Sequence, residues 1–506
     1  MRKGRISACV VALGLAVALA GCTGSVSSGP HQQVSSPGRP ASAAPPPNGV
    51  GAAPLPPGGG LSPAQIRAAY DLGPLLHRGI DGKGQTIVIV DSFGSPTIGH
   101  DLAVFDQQFG LPPPPSLRVI QPAGAVPPYR RSGTRTGWAG ETTLDVEWAH
   151  VMAPGAKILL VETPTAENEG RTGFPQIVTA EEYVIRHHLG GVISQSLGAT
   201  EGTFRSAAAI RQLRGAYQLA AGPAHRVTVV ASTGDNGAAG QTYNMHSYFT
   251  TPQAGWPASD PLVTAVGGTQ LDLASNGTRR GPDVAWSASG GGRSAVFARP
   301  AYQDGVAGVV GRQRGIPDIS MNAACSSAVA VFGSYSGVPS WSTACGTSVA
   351  APLFAGIVAL ADQQAGHTLG LINPALYTMA ARHDRGIVDI LQGSNSWPFT
   401  SRGKSYLVKG FAARPGYDLV SGLGTVDAAL FVPELARTAR SRPSPQTATS
   451  SSRLARAAEA ARLPRKSSRA GGSPRIPHSS RQLVQARSRA LLMLQLATRL
   501  ATALRW

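Results

Sequence analysis

Short apolar runs and longer stretches of helical period alternate along the central part of the chain. TIVIV (86–90), KILLV (157–161), GVISQS (191–196), RVTVVAS (226–232), LVTAV (262–266) and AVAVF (328–332) are each about one strand long. They are apolar at successive positions rather than alternate ones, as expected of strands covered on both faces of a parallel sheet. Between them, residues 100–109, 141–152, 174–188, 203–220 and 347–364 carry apolar positions three and four apart and read as helices. Strand–helix alternation of this kind predicts an α/β doubly wound sheet in a single large domain, with its chemistry in loops at strand C-termini. No repeat of solenoid period is present.

The flanks differ in kind. MRKGR is a basic start, residues 6–20 are apolar, and L-A-G then precedes Cys22. So short an apolar segment reads as an export signal (1–21) rather than a membrane span. Cysteine after L-A-G resembles a bacterial lipobox, which implies lipidation of Cys22. An ordinary secretory signal is the alternative. Acyl chains would hold the protein on the outer face of the cell membrane, and the Pro/Gly/Ser-rich stretch 22–60 would serve as a flexible tether. Of four cysteines, Cys9 leaves with the signal and Cys22 takes lipid. Cys325 and Cys345 remain, a candidate disulfide in an oxidising compartment, against the alternative of two buried thiols.

The net charge of +18 is misplaced with respect to function. Residues 436–506 hold fifteen Lys/Arg against one acid, Glu459, while Arg2, Lys3, Arg5 and Arg39 supply the other four positive charges. Residues 61–435 are therefore neutral, and basicity says nothing about what the central region binds. The tail has a disordered composition. It would suit anionic lipid or another polyanion; equally, it is what a shifted frame in a GC-rich gene would encode.

Two segments carry candidate chemistry. Ser348 lies in CGTSVAAPLFAG, at the predicted start of a helix, and Glu141 and Asp145 lie four residues apart in GETTLDVEWAHVMAPG. A serine hydroxyl needs a base to become a nucleophile, and the base needs a supporting group. At 100° per residue, Glu141 and Asp145 fall on one side of the helix with Leu144, Trp148 and Met152, whereas Glu147 and His150 fall on what should be the solvent face. A coupled carboxyl pair facing the core could share protons and act as a base at acidic pH. A solvated i,i+4 pair is the bland alternative. Asp235, in STGDNG, reads equally as a turn residue. Asp91, ending IVIVD, either extends a carboxylate network or merely ends a buried strand.

E-x-x-x-D followed by G-T-S-x-x-x-P resembles the sedolisins, serine-carboxyl peptidases related to subtilisin. The likeness continues, in order, through LSPAQIRAAYDLGPL, DGKGQTIVIVDSFGSPTIGHDLAVFDQQFGLP, ASTGDNGA, GWPASDPLVTAVGGT, RGIPDIS and PGYDLVSGLGT, over residues 61–435. It implies a subtilisin-like fold and a peptidase of protein or peptide substrates, acting as a monomer. Ser348 would be the nucleophile, Glu141 the base, Asp145 its support and Asp235 a donor to the oxyanion. It also implies one structural calcium ion held by Asp389, Asp418 and the carbonyls of Ile390, Arg414 and Gly416. Arg414 stands where the family often has glycine, and Cys345 where it usually has serine or glycine. Such proteins are normally made with a long prodomain; the Pro/Gly/Ser-rich segment before residue 61 is too short and polar to form one. A Ser-His-Asp triad is disfavoured, since no histidine precedes a glycine, and Ser348 does not sit in G-x-S-x-G. Endopeptidase and tripeptidyl-peptidase action both stay open, as does a non-catalytic binding module on the same fold.

Overall fold

The computed structural model describes residues 58–167, 172–243 and 245–440. The export signal, Cys22, the tether up to residue 57 and the basic tail from residue 441 lie outside them. Seven parallel strands make the central sheet: β1 (Thr86–Ser92), β2 (Leu117–Ile120), β3 (Lys157–Thr163), β4 (Val192–Gln195), β5 (Thr228–Ser232), β6 (Thr264–Gln270) and β7 (Ile319–Asn322). Their spatial order is β2-β3-β1-β4-β5-β6-β7, with a short antiparallel strand, Val284–Ala285, beside β6.

Alternation along each strand divides the core in two. Ile87, Ile89, Ile158, Leu160, Val230 and Val266 face one apolar cluster. Val88, Val90, Leu159, Val161, Val229 and Ala265 face the other. Successive side chains of a strand point to opposite faces, so an unbroken apolar run is what a sheet covered on both sides requires. On the first face lie helices α1 (Ile98–Phe109), α2 (Gly133–Met152), α4 (Thr347–Ala365) and α5 (Asn373–Ala381), with α6 (Ala428–Arg440) packed on α4. On the second lies α3 (Phe174–Arg186). No described helix is long and apolar enough to cross a membrane.

Three local expectations are corrected. AVAVF is not in the parallel sheet: Val329–Gly333 (β8) pairs antiparallel with Ser340–Ala344 (β9) as a hairpin lying over α1 and α2. Residues 203–220 are not one helix but two short ones, Ala207–Gln212 and Gly215–Ala220, interrupted before a glycine of low helix propensity. Glu147 and His150 are not on a solvent face; both are fully buried. The β8–β9 hairpin and α1 cover the far side of α2. The Phe332 N–H donates to Glu147 Oε2 at 3.3 Å, and Trp148 Nε1 donates to the Ala330 carbonyl at 3.0 Å. His150 Nε2 lies 2.8 Å from the Pro112 carbonyl and 3.3 Å from Asp106. A helix enclosed all round can carry polar groups inward when neighbouring backbone supplies their partners.

Candidate active site

The side chains singled out in the sequence converge at the C-terminal edge of the parallel strands. Asp91 sits at the end of β1 and Asp235 just after β5, and a further residue, Ser196, joins them directly after β4. Above them, α2 supplies Glu141 and Asp145, and Ser348 is the second residue of α4. Glu141, Asp235 and Ser348 line one small cavity, and the Ser348 hydroxyl is near enough to the Glu141 carboxyl to favour its charged form. Ser348 and Asp235 also line a larger pocket of about 180 Å³, with Ser196, Thr200 and Trp256 in its lining.

Burial dominates the electrostatics. Glu141 and Asp145 are almost completely enclosed. Loss of solvent holds the Glu141 carboxyl well above the usual carboxylate range; the Ser348 hydroxyl opposes this, while the nearby Asp91 and Asp235 charges add to it. Asp145 is raised in the same way, by burial and then by Asp91 and Glu141, against a hydrogen bond from Ser196. Asp91 is pushed up to about 7, again by burial first. Three carboxyls so close together cannot all ionise without large repulsion, so they share protons as one coupled group. Of the two alternatives for Glu141 and Asp145, the buried pair is the one present.

Asp235 is held by the start of α4. Its Oδ1 accepts the Thr347 N–H and the Thr347 hydroxyl, both at 2.8 Å, and Thr347 Oγ1 in turn accepts the Gly234 N–H at 3.0 Å. Its Oδ2 faces Gly346, where a β-carbon would come within 2.5 Å. Gly346 also has φ +123°, in the region that favours glycine, so G-T-S needs its first residue for both reasons. Burial raises the Asp235 pKa against the two Thr347 bonds.

Ser196 was not apparent from the sequence. Its Oγ lies 2.9 Å from Asp145 Oδ1 and 3.2 Å from the Ser348 carbonyl, tying the acid to the nucleophile's own backbone. A serine one residue beyond a buried strand was the only signal for it. Cys325 and Cys345 are bonded, and this bridge encloses the β8–β9 hairpin up to two residues before Thr347.

The candidate calcium ligands lie on two touching loops. The Gly416 N–H donates to Asp389 Oδ2 at 2.7 Å and the Arg414 N–H to Asp418 Oδ2 at 2.9 Å. Ile390 and Asp418 are buried, while Asp389 and Arg414 are exposed. Among the described residues no group of three His, Cys, Asp or Glu surrounds a common point. Two carboxylates supplemented by backbone carbonyls form a hard-oxygen set, which suits calcium and not a soft or borderline metal.

Comparison with known proteins agrees with this geometry. Residues 134–381 match the subtilase family. Kumamolisin of Bacillus sp. strain MN-32 is 31% identical over 383 residues, covering 72% of this chain and 61% of kumamolisin. Tripeptidyl-peptidase sed4 of Aspergillus fumigatus is 31% identical over 387 residues, covering 65% of this chain and 59% of that protein. The chain thus spans about three fifths of the length of these relatives. Pseudomonas sedolisin, a serine-carboxyl proteinase solved with two molecules of pseudo-iodotyrostatin, superposes with a TM-score of 0.62 at 26% identity, covering 76% of this chain and 98% of that one. With the strand order, the carboxyl pair on α2 and the serine at the start of α4, these likenesses place the chain in the sedolisin family of subtilisin-like proteins.

Proposed function

We propose that this protein is a serine-carboxyl peptidase that hydrolyses peptide bonds in protein or peptide substrates, most actively at acidic pH. The observation that carries the reading is that Ser348 and a buried Glu141 line one small cavity together with Asp235, with Asp91 raising both the Glu141 and Asp145 carboxyls from close by. In the arrangement in which the shared protons sit on Asp145 and Asp91, the ionised Glu141 takes the Ser348 proton as Oγ attacks the scissile carbonyl, and Asp145 supports the charge change in Glu141. The negative charge then moves to the carbonyl oxygen. Two donors suit it: the Ser348 N–H, one of the first-turn donors that a helix leaves without an intrahelical acceptor, and a proton on Asp235 Oδ2. Glu141 returns its proton to the leaving amine, and water repeats the sequence on the acyl-enzyme. Asp235 must be protonated to donate, so activity should fade as pH rises through its raised pKa.

One calcium ion, held by Asp389, Asp418 and the carbonyls of Ile390, Arg414 and Gly416, would tie together two loops near the C-terminal end of the domain. The protein would act as a monomer at the bacterial cell envelope, anchored through lipid on Cys22. Its basic tail would be free to contact anionic lipid or another polyanion. Endopeptidase action is favoured by the open pocket beside Ser348; tripeptidyl-peptidase action is the alternative that the likeness to sed4 keeps in view.

The test is digestion of a peptide library across pH 3 to 8, read by mass spectrometry. Internal cleavage greatest at acidic pH is expected, and clean release of N-terminal tripeptides would favour the alternative. A rate maximum above pH 8, or full activity in Glu141→Gln, overturns the mechanism.

A further inference from the structure

The cavity shared by Glu141 and Ser348 has a wall that the mechanism does not use. It is Tyr335, in the six-residue turn between β8 and β9. The tyrosine is held from three directions. Its neighbour Ser334 donates through N–H and Oγ to the buried carboxylate of Asp101 on α1, at 3.1 and 2.5 Å. Its own carbonyl accepts the Tyr129 hydroxyl at 3.0 Å. The hairpin that carries it is closed by the Cys325–Cys345 bridge.

Two glycines make room for the ring. A β-carbon at Gly333 would meet Tyr335 Cε1 at 2.3 Å, and one at Gly140 would lie 2.9 Å from the Tyr335 hydroxyl oxygen. Gly140 directly precedes Glu141. The ring therefore packs against its own hairpin and reaches α2 beside the candidate base.

Chemistry says which side of the scissile bond this is. The group that takes the serine proton is the one that later protonates the leaving amine, so the leaving group departs past Glu141. The larger pocket lined by Thr200 and Trp256 shares Ser348 with this cavity but not Glu141, and receives the acyl side. The cavity by Glu141 is about 30 Å³, a sixth of the volume of that pocket. Between Tyr335, Val331 and Ala344 there is room for hydrogen, a methyl or a hydroxymethyl, and little more.

We propose that Tyr335 is a specificity-determining residue of this site: it walls the subsite for the residue that follows the scissile bond and confines that residue to glycine, alanine or serine. The assignment rests on the peptidase reading and adds the substrate's chemistry to it.

The experiment uses the full chain and a set of otherwise identical peptides bearing Ala, Leu or Phe after a fixed cleavage site. Wild type should favour Ala over Leu or Phe by about tenfold or more in kcat/KM, the scale on which a small pocket discriminates added methylenes. Tyr335→Ala should bring that ratio towards one, and Tyr335→Phe should keep it, because the ring and not the hydroxyl forms the wall. Tyr335→Leu, of intermediate volume, should give an intermediate ratio and serves if the alanine variant fails to fold. No preference in wild type, or a ratio unmoved in both the alanine and leucine variants, overturns the proposal. Binding of the same peptides to Ser348→Ala, followed by fluorescence anisotropy, separates this from the parent reading. Tighter binding of the Ala peptide that depends on Tyr335, with no hydrolysis by wild type, sustains the wall and removes the peptidase. Equal binding of all three peptides, or binding of none, removes the wall.

Discussion

Asp235 receives both the N–H and the hydroxyl of Thr347 on a single carboxyl oxygen, Oδ1, each at 2.8 Å. With Oδ1 taken by two donors, a proton on this carboxyl belongs on Oδ2, the atom against Gly346. An asparagine can reproduce the arrangement: its amide oxygen accepts both Thr347 donors and its NH₂ occupies the Oδ2 position. Asp235→Asn should therefore fold normally, keep part of the activity and extend it to higher pH, where Asp235 itself would have ionised. The pH–rate profile checks this. Loss of folding would make Asp235 a structural turn residue instead.

Ser348 is part-exposed at the second position of α4, where its loss leaves no large cavity. Ser348→Ala should abolish turnover by several orders of magnitude, because nucleophile and base act as a unit. Its melting free energy should stay within about 1 kcal/mol of wild type, the ordinary range for a small change at a helix start. Turnover equal to wild type would end the serine-carboxyl reading.

The buried carboxyls make stability depend on pH in an unusual direction. In the folded state Asp91 titrates at about 7 rather than 3.8, and Glu141, Asp145, Glu147 and Glu181 are all raised as well, in each case by burial first. The folded protein thus binds these protons more tightly than the unfolded chain. Their contribution is fully present below the unfolded pKa, near 4, and is lost as pH rises through the folded values. The melting temperature should fall between about pH 4 and pH 7, and Asp91→Asn should flatten that fall. A melting temperature that climbs over the same range would contradict the raised carboxyls.

For the calcium site, chelation should lower the melting temperature of wild type but not of Asp389→Ala, since an ion bound only by the folded state stabilises it by mass action. Calorimetry with and without chelator reads both. An unchanged wild-type transition would remove the ion from the account.

Much of this protein is written in local sequence patterns. The runs of β1, β3, β4, β5 and β6 stand out because burial on both faces leaves no polar alternation, a property of a few consecutive residues. Glu141 and Asp145 meet on one side of α2 because the helical period is itself local. G-T-S marks a helix start for the same reason, with Gly346 obligatory at its positive φ. What lies between segments was not legible. Whether AVAVF joins the parallel sheet or folds back as a hairpin depends on its partner, Ser340–Ala344, a segment of ordinary polarity. β2 and β7 did not stand out because LRVI is interrupted by an arginine and ISMN is polar at every second position. Glu147 and His150 look solvent-facing by period, yet the hairpin and α1 close over them and supply their hydrogen-bond partners. The same holds at the site. Ser196 reaches Asp145 across 51 residues of chain, Thr347 reaches Asp235 across 112, and Tyr335 approaches Glu141 through Gly140. Periodicity tells a residue which way it faces along its own element; only packing decides what stands opposite, because burial and hydrogen bonding are properties of the neighbours that arrive there.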